Sequence, residues 1–174
     1  MQEELTTERL HLRPLCEGDA ERIASLANWN VARMLARMPW PYTADMARNW
    51  IAQAGELRAE GEEFDYAVTV EGEGLVGCCG LQSHADGTHE IGYWIGEPWW
   101  NRGYATEAAS ALLERAVARF GAETVIAGHH ADNHASGRVL TKLGFRYTGE
   151  ESRWCVARQQ NVHCLTMRLM QVGM

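Results

Sequence analysis

Around residues 90–120 the spacing of apolar residues switches from a strand pattern to a helical repeat, across one loop that carries a glycine. Glu-Ile-Gly-Tyr-Trp-Ile at 90–95 is a β-rich run. Beyond the loop, Ala105, Ala109, Leu112, Ala116 and Phe120 fall on one face of a helix, and Gly121 is its expected stop. A strand that feeds straight into a long helix needs a crossover, so this segment belongs to an α/β layout and not to an all-β or all-helical one.

The flanking segments add to this frame. Leu10, Leu12 and Leu15 predict a short first strand stopped at Pro14, and Asp19 is placed to cap a helix over Ile23, Leu26 and Ala27. A second helical piece is expected over residues 29–37. Thr43 is placed to cap a longer helix with Ala47, Trp50, Ile51, Ala54 and Leu57 on one face and Gly61 as its stop. Residues 66–70 and 75–79 read as a hairpin, 124–127 as a strand, and Val139, Leu140 and Leu143 as a helix ended by Gly144. Residues 145–148 and 162–169 close the set. The expected class is α/β (mixed α+β), one domain over residues 1–174, with a mixed central sheet.

Composition narrows the function. The 174 residues hold 16 Lys and Arg against 23 Asp and Glu, a net charge of −7. That argues against nucleic-acid binding, which needs a basic face. The cysteines, Cys16, Cys78, Cys79, Cys155 and Cys164, are odd in number and spaced for neither disulfides nor zinc, so buried reduced thiols are expected. Residues 1–8 are acidic and do not resemble a signal peptide. No run is long and apolar enough for a membrane helix, so no membrane partner and a cytoplasmic location are expected.

The chemistry concentrates at Trp-Trp-Asn-Arg-Gly-Tyr-Ala-Thr-Glu, residues 99–107. Unpaired N–H groups and the dipole at a helix start make an anion site, and Gly103 followed by Ala105 keeps it open. Many such turns bind nothing. The loop has no Gly-Lys-Ser/Thr and no three glycines at dinucleotide spacing, which argues against a nucleotide triphosphatase and a Rossmann cofactor. A second strand-to-helix junction follows, where Asp132 or Asn133 can cap a helix with Ser136 in its first turn.

Taken together, Glu-Ile-Gly-Tyr-Trp-Ile at 90–95, Arg-Gly-Tyr-Ala-Thr-Glu at 102–107, Asn133-x-x-Ser136 and Lys-Leu-Gly-Phe at 142–145 resemble the GNAT superfamily of acyl-CoA-dependent N-acyltransferases. Thr-Glu-Arg-Leu-His-Leu-Arg-Pro at 7–14 is similar to the opening of its ribosomal-protein N-terminal acetyltransferase branch. The resemblance implies a strongly twisted sheet that splays after the fourth strand, residues 90–95, with acetyl-CoA in the opening. It implies that backbone near Trp94 and Ile95 aligns the pantetheine and that the amides of Arg102, Gly103, Tyr104, Ala105 and Thr106 hold the pyrophosphate. Asn133 and Ser136 would line the thiol end. Trp100 stands where the family's loop often carries Gln or Arg, and Arg102, Arg138 and Lys142 are candidate cations for the CoA phosphates.

The resemblance also makes Glu90 the first candidate for general base; as a bare residue it reads equally well as an exposed strand-edge carboxylate. Leu140 stands where many relatives carry a proton-donating tyrosine, which leaves Ser136 as the nearest polar replacement unless it bonds only to backbone. A histidine among His129, His130 and His134 is an alternative base. With Asp132 they could be taken for metal ligands, but a strand-to-helix break separates them and no metal is expected. The base matters unequally: neutralising an α-amine at pH 7 costs about 1 kcal/mol, and a lysine between about 4 and 5.

Of seven tryptophans, Trp50 and Trp94 are expected in the core, whereas Trp40 and Tyr42 are expected to wall an apolar slot beside the acceptor. Residues 62–65 read as a solvated acidic turn. The expected activity is transfer of an acetyl group from acetyl-CoA to a primary amine, a protein N-terminus or a small molecule, by direct attack without an acyl-enzyme, in a monomer or homodimer. The alternative is a non-catalytic acyl-CoA-binding module.

Overall fold

The computed structural model describes residues 4–170. One sheet runs through them in the order β1-β2-β3-β4-β5-β6-β8-β7. The strands are β1 (Leu5–Thr6), β2 (Leu10–Pro14), β3 (Tyr66–Val70), β4 (Gly74–Ser83), β5 (His89–Ile95), β6 (Val125–His130), β7 (Phe145–Cys155) and β8 (Gln160–Leu169). The helices are α1 (Ala20–Leu26), α2 (Trp29–Ala32), α3 (Ala44–Glu60), α4 (Tyr104–Phe120) and α5 (His134–Lys142).

All neighbouring strands are antiparallel except β5 and β6. That parallel pair is joined through α4 and keeps register only at His89–Val125 and Glu90–Ile126. Beyond Glu90 the two strands separate, and the opening between them is the central fact of the fold. The splay falls where expected, but the parting strand is the fifth, because the two-residue β1 pairs with β2 through Leu5 and Leu12.

The helix boundaries follow local chemistry. Thr43 accepts the Met46 N–H, and Gly61, at φ 82°, ends α3 in the left-handed conformation that a side chain would strain. Asp19 departs from expectation. Its carboxylate does not cap α1 but accepts the Cys16 N–H at 2.9 Å and a two-pronged ion pair from Arg13. Burial pushes that carboxyl up, yet Arg13 and the Cys16 amide outweigh it and hold its pKa below the usual value.

α2 stops at Ala32, short of the expected residue 37. The Arg33 carbonyl that a helix to residue 37 would use is taken by the β7–β8 turn, where Arg158 Nε donates to it at 2.7 Å, and the same turn holds Ala36 O through Val156 N at 3.0 Å. β7 runs to Cys155, past the expected residue 148, because β8 pairs with it along its length, although its residues between the two ends are almost all exposed.

Tyr66, Phe145, Leu12, Ile23, Leu81 and Leu112 are fully buried, each worth about 1.5–3 kcal/mol of transfer. Trp50 and Trp94 pack against this core, and so does Tyr42, contrary to the expected slot; Trp40 is exposed. Cys78, Cys79, Cys155 and Cys164 are buried free thiols, but Cys16 is exposed. Residues 62–65 are not the solvated acidic turn expected. Glu63 and Phe64 are buried, Glu63 bonds Arg37 at 3.0 Å, and burial with the neighbouring Glu63 charge raises Asp65 to about 6. Among the described residues no helix is long and apolar enough to cross a membrane.

Candidate active site

The splay between β5 and β6 opens to both faces of the sheet, and side-chain alternation assigns each residue to one face. On the face covered by α4 and α5, the loop after β5 reaches α4 through Gly103 at φ 82°. The intrahelical ladder begins at Glu107 N–H to Gly103 O, so the amides of Tyr104, Ala105 and Thr106 have no partner within the helix. Gly103 itself is exposed. The Tyr104 side chain turns into the core, which leaves its amide as the part able to meet a ligand. Arg102 is exposed and lies 3.7 Å from Glu73; Arg138 and Lys142 are exposed on α5. Trp100 Nε1 donates to the Ile95 carbonyl at 2.6 Å, so the indole props the loop against the end of β5. Trp94 and Ile95 are held in the sheet opposite Cys78 and Gly77.

Asn133 caps α5 by accepting the Ser136 N–H at 3.2 Å. Ser136 does more than bond to backbone: its Oγ lies 3.0 Å from the phenol oxygen of Tyr93 on β5. Burial pushes the Tyr93 pKa up, so the phenol keeps its proton at neutral pH. Tyr93 is not among the residues that the sequence motifs single out. Its signal was present, since β5 alternation sets it on the face opposite Glu90 and Gly92. His129 shares the α5 face, with Nε2 3.2 Å from Tyr147 and Nδ1 2.8 Å from the His130 carbonyl.

On the opposite face, Gly92 and Gly128 stand on the two lips of the splay. A Cβ at Gly92 would meet nothing within 4 Å. One at Gly128 would come 3.4 Å from Arg153 and 3.5 Å from Glu90. Residues 34–36 roof this space, fastened by the β7–β8 turn, and the cavity of about 110 Å³ reaches between the parted strands, lined by Gly92, His130, Arg153 and Cys164 on this face and by Tyr93 and Ser136 from the other.

Glu90 is largely covered. Its Oε1 accepts Arg153 Nη1 at 2.7 Å and its Oε2 lies 3.3 Å from His84 Nε2. His130 is 4% exposed, and neither ring nitrogen makes a hydrogen bond of normal geometry. Burial, then Arg158, lower its pKa against the opposing pull of the Arg33 carbonyl and Asp132, with Arg153 adding to the lowering. The imidazole is therefore neutral at pH 7. Cys164 stands opposite His130 in the β6–β8 register, and burial raises its thiol, which keeps it from acting as a nucleophile. His129, His130 and His134 do not converge: the first two face opposite sides of the sheet and His134 begins α5 in an exposed position.

The family model for the acetyltransferase (GNAT) domain matches residues 9–146, most of the chain. The chain belongs to the GNAT acetyltransferases. It is 33% identical over 150 residues to the uncharacterized N-acetyltransferase YoaA of Bacillus subtilis (strain 168), covering 83% of this chain and 84% of the relative. It is 26% identical over 156 residues to the [Ribosomal protein uS5]-alanine N-acetyltransferase of Escherichia coli (strain K12), covering 83% and 79%. Its fold is shared with RimL, a ribosomal L7/L12 alpha-N-protein acetyltransferase solved with coenzyme A, at a TM-score of 0.81 and 18% identity over 96% and 98% of the two chains. This GNAT member is accordingly an acetyl-CoA-dependent acetyltransferase, and its mixed single sheet is the family's.

Proposed function

We propose that the chain transfers an acetyl group from acetyl-CoA to a primary amine, a protein N-terminal α-amine or a small-molecule amine, by direct attack within a ternary complex. The observation that carries this is a two-faced opening with complementary chemistry on its faces. Free helix-start amides at Tyr104, Ala105 and Thr106, with Gly103, suit the CoA pyrophosphate on one side. On the other, Gly92 leaves open space where an amine must approach the thioester, and Gly128 lets Arg153 and Glu90 close in beside it.

The departing thiolate lies in this reading near Asn133 and Ser136. Ser136 Oγ–H donates to it and is resupplied by the Tyr93 phenol 3.0 Å away, the function that Leu140 cannot perform. Two groups can accept the amine's proton. Glu90 does so through water, as a carboxylate whose position is fixed by Arg153. His130 is favoured by its own observation, a neutral imidazole on the cavity with no hydrogen bond of normal geometry. Both stand on the acceptor face, and no cysteine takes part.

The cradle is tested by titrating CoA into wild type and Gly103→Glu, with unliganded melting curves as the folding control. The added side chain strains the left-handed turn, presses on Arg9 and sets a negative charge beside the pyrophosphate, so measurable affinity is lost. Unchanged affinity would mean that CoA lies elsewhere.

A further inference from the structure

The turn between β1 and β2 sends one side chain across the molecule to the loop before α4. Arg9 N–H donates to Glu107 Oε1 at 2.9 Å, and Arg9 Nε to Glu107 Oε2 at 2.8 Å. The same guanidinium donates Nη1 to the Arg102 carbonyl at 2.9 Å and lies 4.9 Å over the Tyr104 ring. Thr7 Oγ1 completes the arrangement by donating to Glu107 Oε1 at 2.6 Å. Burial pushes the Glu107 carboxyl up, but the Thr7 hydroxyl and the Arg9 backbone and side chain outweigh it, so it is held as an anion below its usual pKa.

A trans peptide is planar, with its N–H pointing opposite to its carbonyl. Holding the Arg102 oxygen on Arg9 therefore turns the Gly103 N–H to the other side, away from the β1–β2 turn. We propose that Arg9 is a positioning residue for cosubstrate binding: it fixes the Arg102–Gly103 peptide so that the Gly103 amide joins those of Tyr104, Ala105 and Thr106 in facing the pyrophosphate. The proposal rests on the acetyl-CoA reading above. Its currency is geometry more than charge, because Glu107 neutralises the guanidinium at 2.6 Å. Only a planar fork can satisfy the carboxylate and the carbonyl together; a lysine ammonium is a compact point donor.

Calorimetric titration of CoA and 3′-dephospho-CoA into wild type, Arg9→Ala and Arg9→Lys tests this, with steady-state rates in parallel. Both variants are expected to lose about tenfold in affinity for each ligand alike. KM for acetyl-CoA rises correspondingly, while kcat and the acceptor KM stay put. Three results overturn the proposal: wild-type affinity in both variants; wild-type affinity in Arg9→Lys, which would make charge sufficient; or a loss confined to CoA, which would put Arg9 on the 3′-phosphate. Arg9→Lys decides the matter if Arg9→Ala does not fold. Failure of wild type to bind either ligand is a different result, since it removes the acetyl-CoA reading and the proposal falls with it.

Discussion

The Tyr93 hydroxyl and Ser136 Oγ lie 3.0 Å apart, one on β5 and the other in the first turn of α5, joining two elements that the splay otherwise separates. If this pair delivers a proton to the leaving thiolate, Tyr93→Phe and Ser136→Ala each lower kcat. The expected loss is roughly tenfold, below the usual hundredfold or more for proton transfer, because a thiolate leaves readily. The double variant should be no slower than the worse single one, as read by free-thiol release. Additive losses would mean that the two act separately.

The proton acceptor is separated by pH profiles. With its pKa lowered, His130 is protonated only below its ordinary value of 6.5, so the rate should fall on acidification through that lower range. His130→Gln should remove this limb and reduce kcat by about a hundredfold, whereas Glu90→Gln should keep it. The reverse outcome assigns the proton transfer to Glu90.

The acceptor compartment can be filled without disturbing the fold. Gly92→Val places a side chain where nothing lies within 4 Å of the Cβ position. Its melting temperature should match wild type, while the acceptor KM rises at least tenfold and the KM for acetyl-CoA does not change. A raised acetyl-CoA KM instead would put Gly92 on the cosubstrate side.

Asp65 gives a stability prediction. Its Oδ2 is buried without a partner, and its pKa is raised to about 6 from 3.8. Between those values the folded chain holds a proton that the unfolded chain has released, so this group's contribution to stability falls as pH rises through that window. Below it both states are protonated and the effect vanishes. Asp65→Asn should therefore leave stability unchanged at acid pH and raise it by an amount on the order of 3 kcal/mol at pH 8, as measured by urea denaturation. Equal stability at pH 8 would contradict the cost assigned to this carboxylate.

What could be read in the sequence divides along physical lines. The period change at residues 90–120 identified the β5–α4 junction, since a helical repeat and a capping glycine are local signals. The Asn133 cap on Ser136 was legible for the same reason. The features that escaped are long-range. Nothing near Arg9 indicates that its partner is Glu107, and residues 33–36 gave up their helix to a turn more than 100 positions later. Residues 62–65 misled because polar side chains ordinarily mark solvent, whereas Glu63 is buried on Arg37. The length of β7 is not legible, because its middle lacks the apolar alternation that identifies a strand.

Incubating the purified chain with acetyl-CoA and a panel of peptides with free N-termini and small amines, then measuring free thiol and acceptor mass together, probes the central claim most directly. Transfer predicts one acetyl group gained on nitrogen for each thiol released. Tight binding of acetyl-CoA with neither thiol nor acetylated amine across the panel would contradict it.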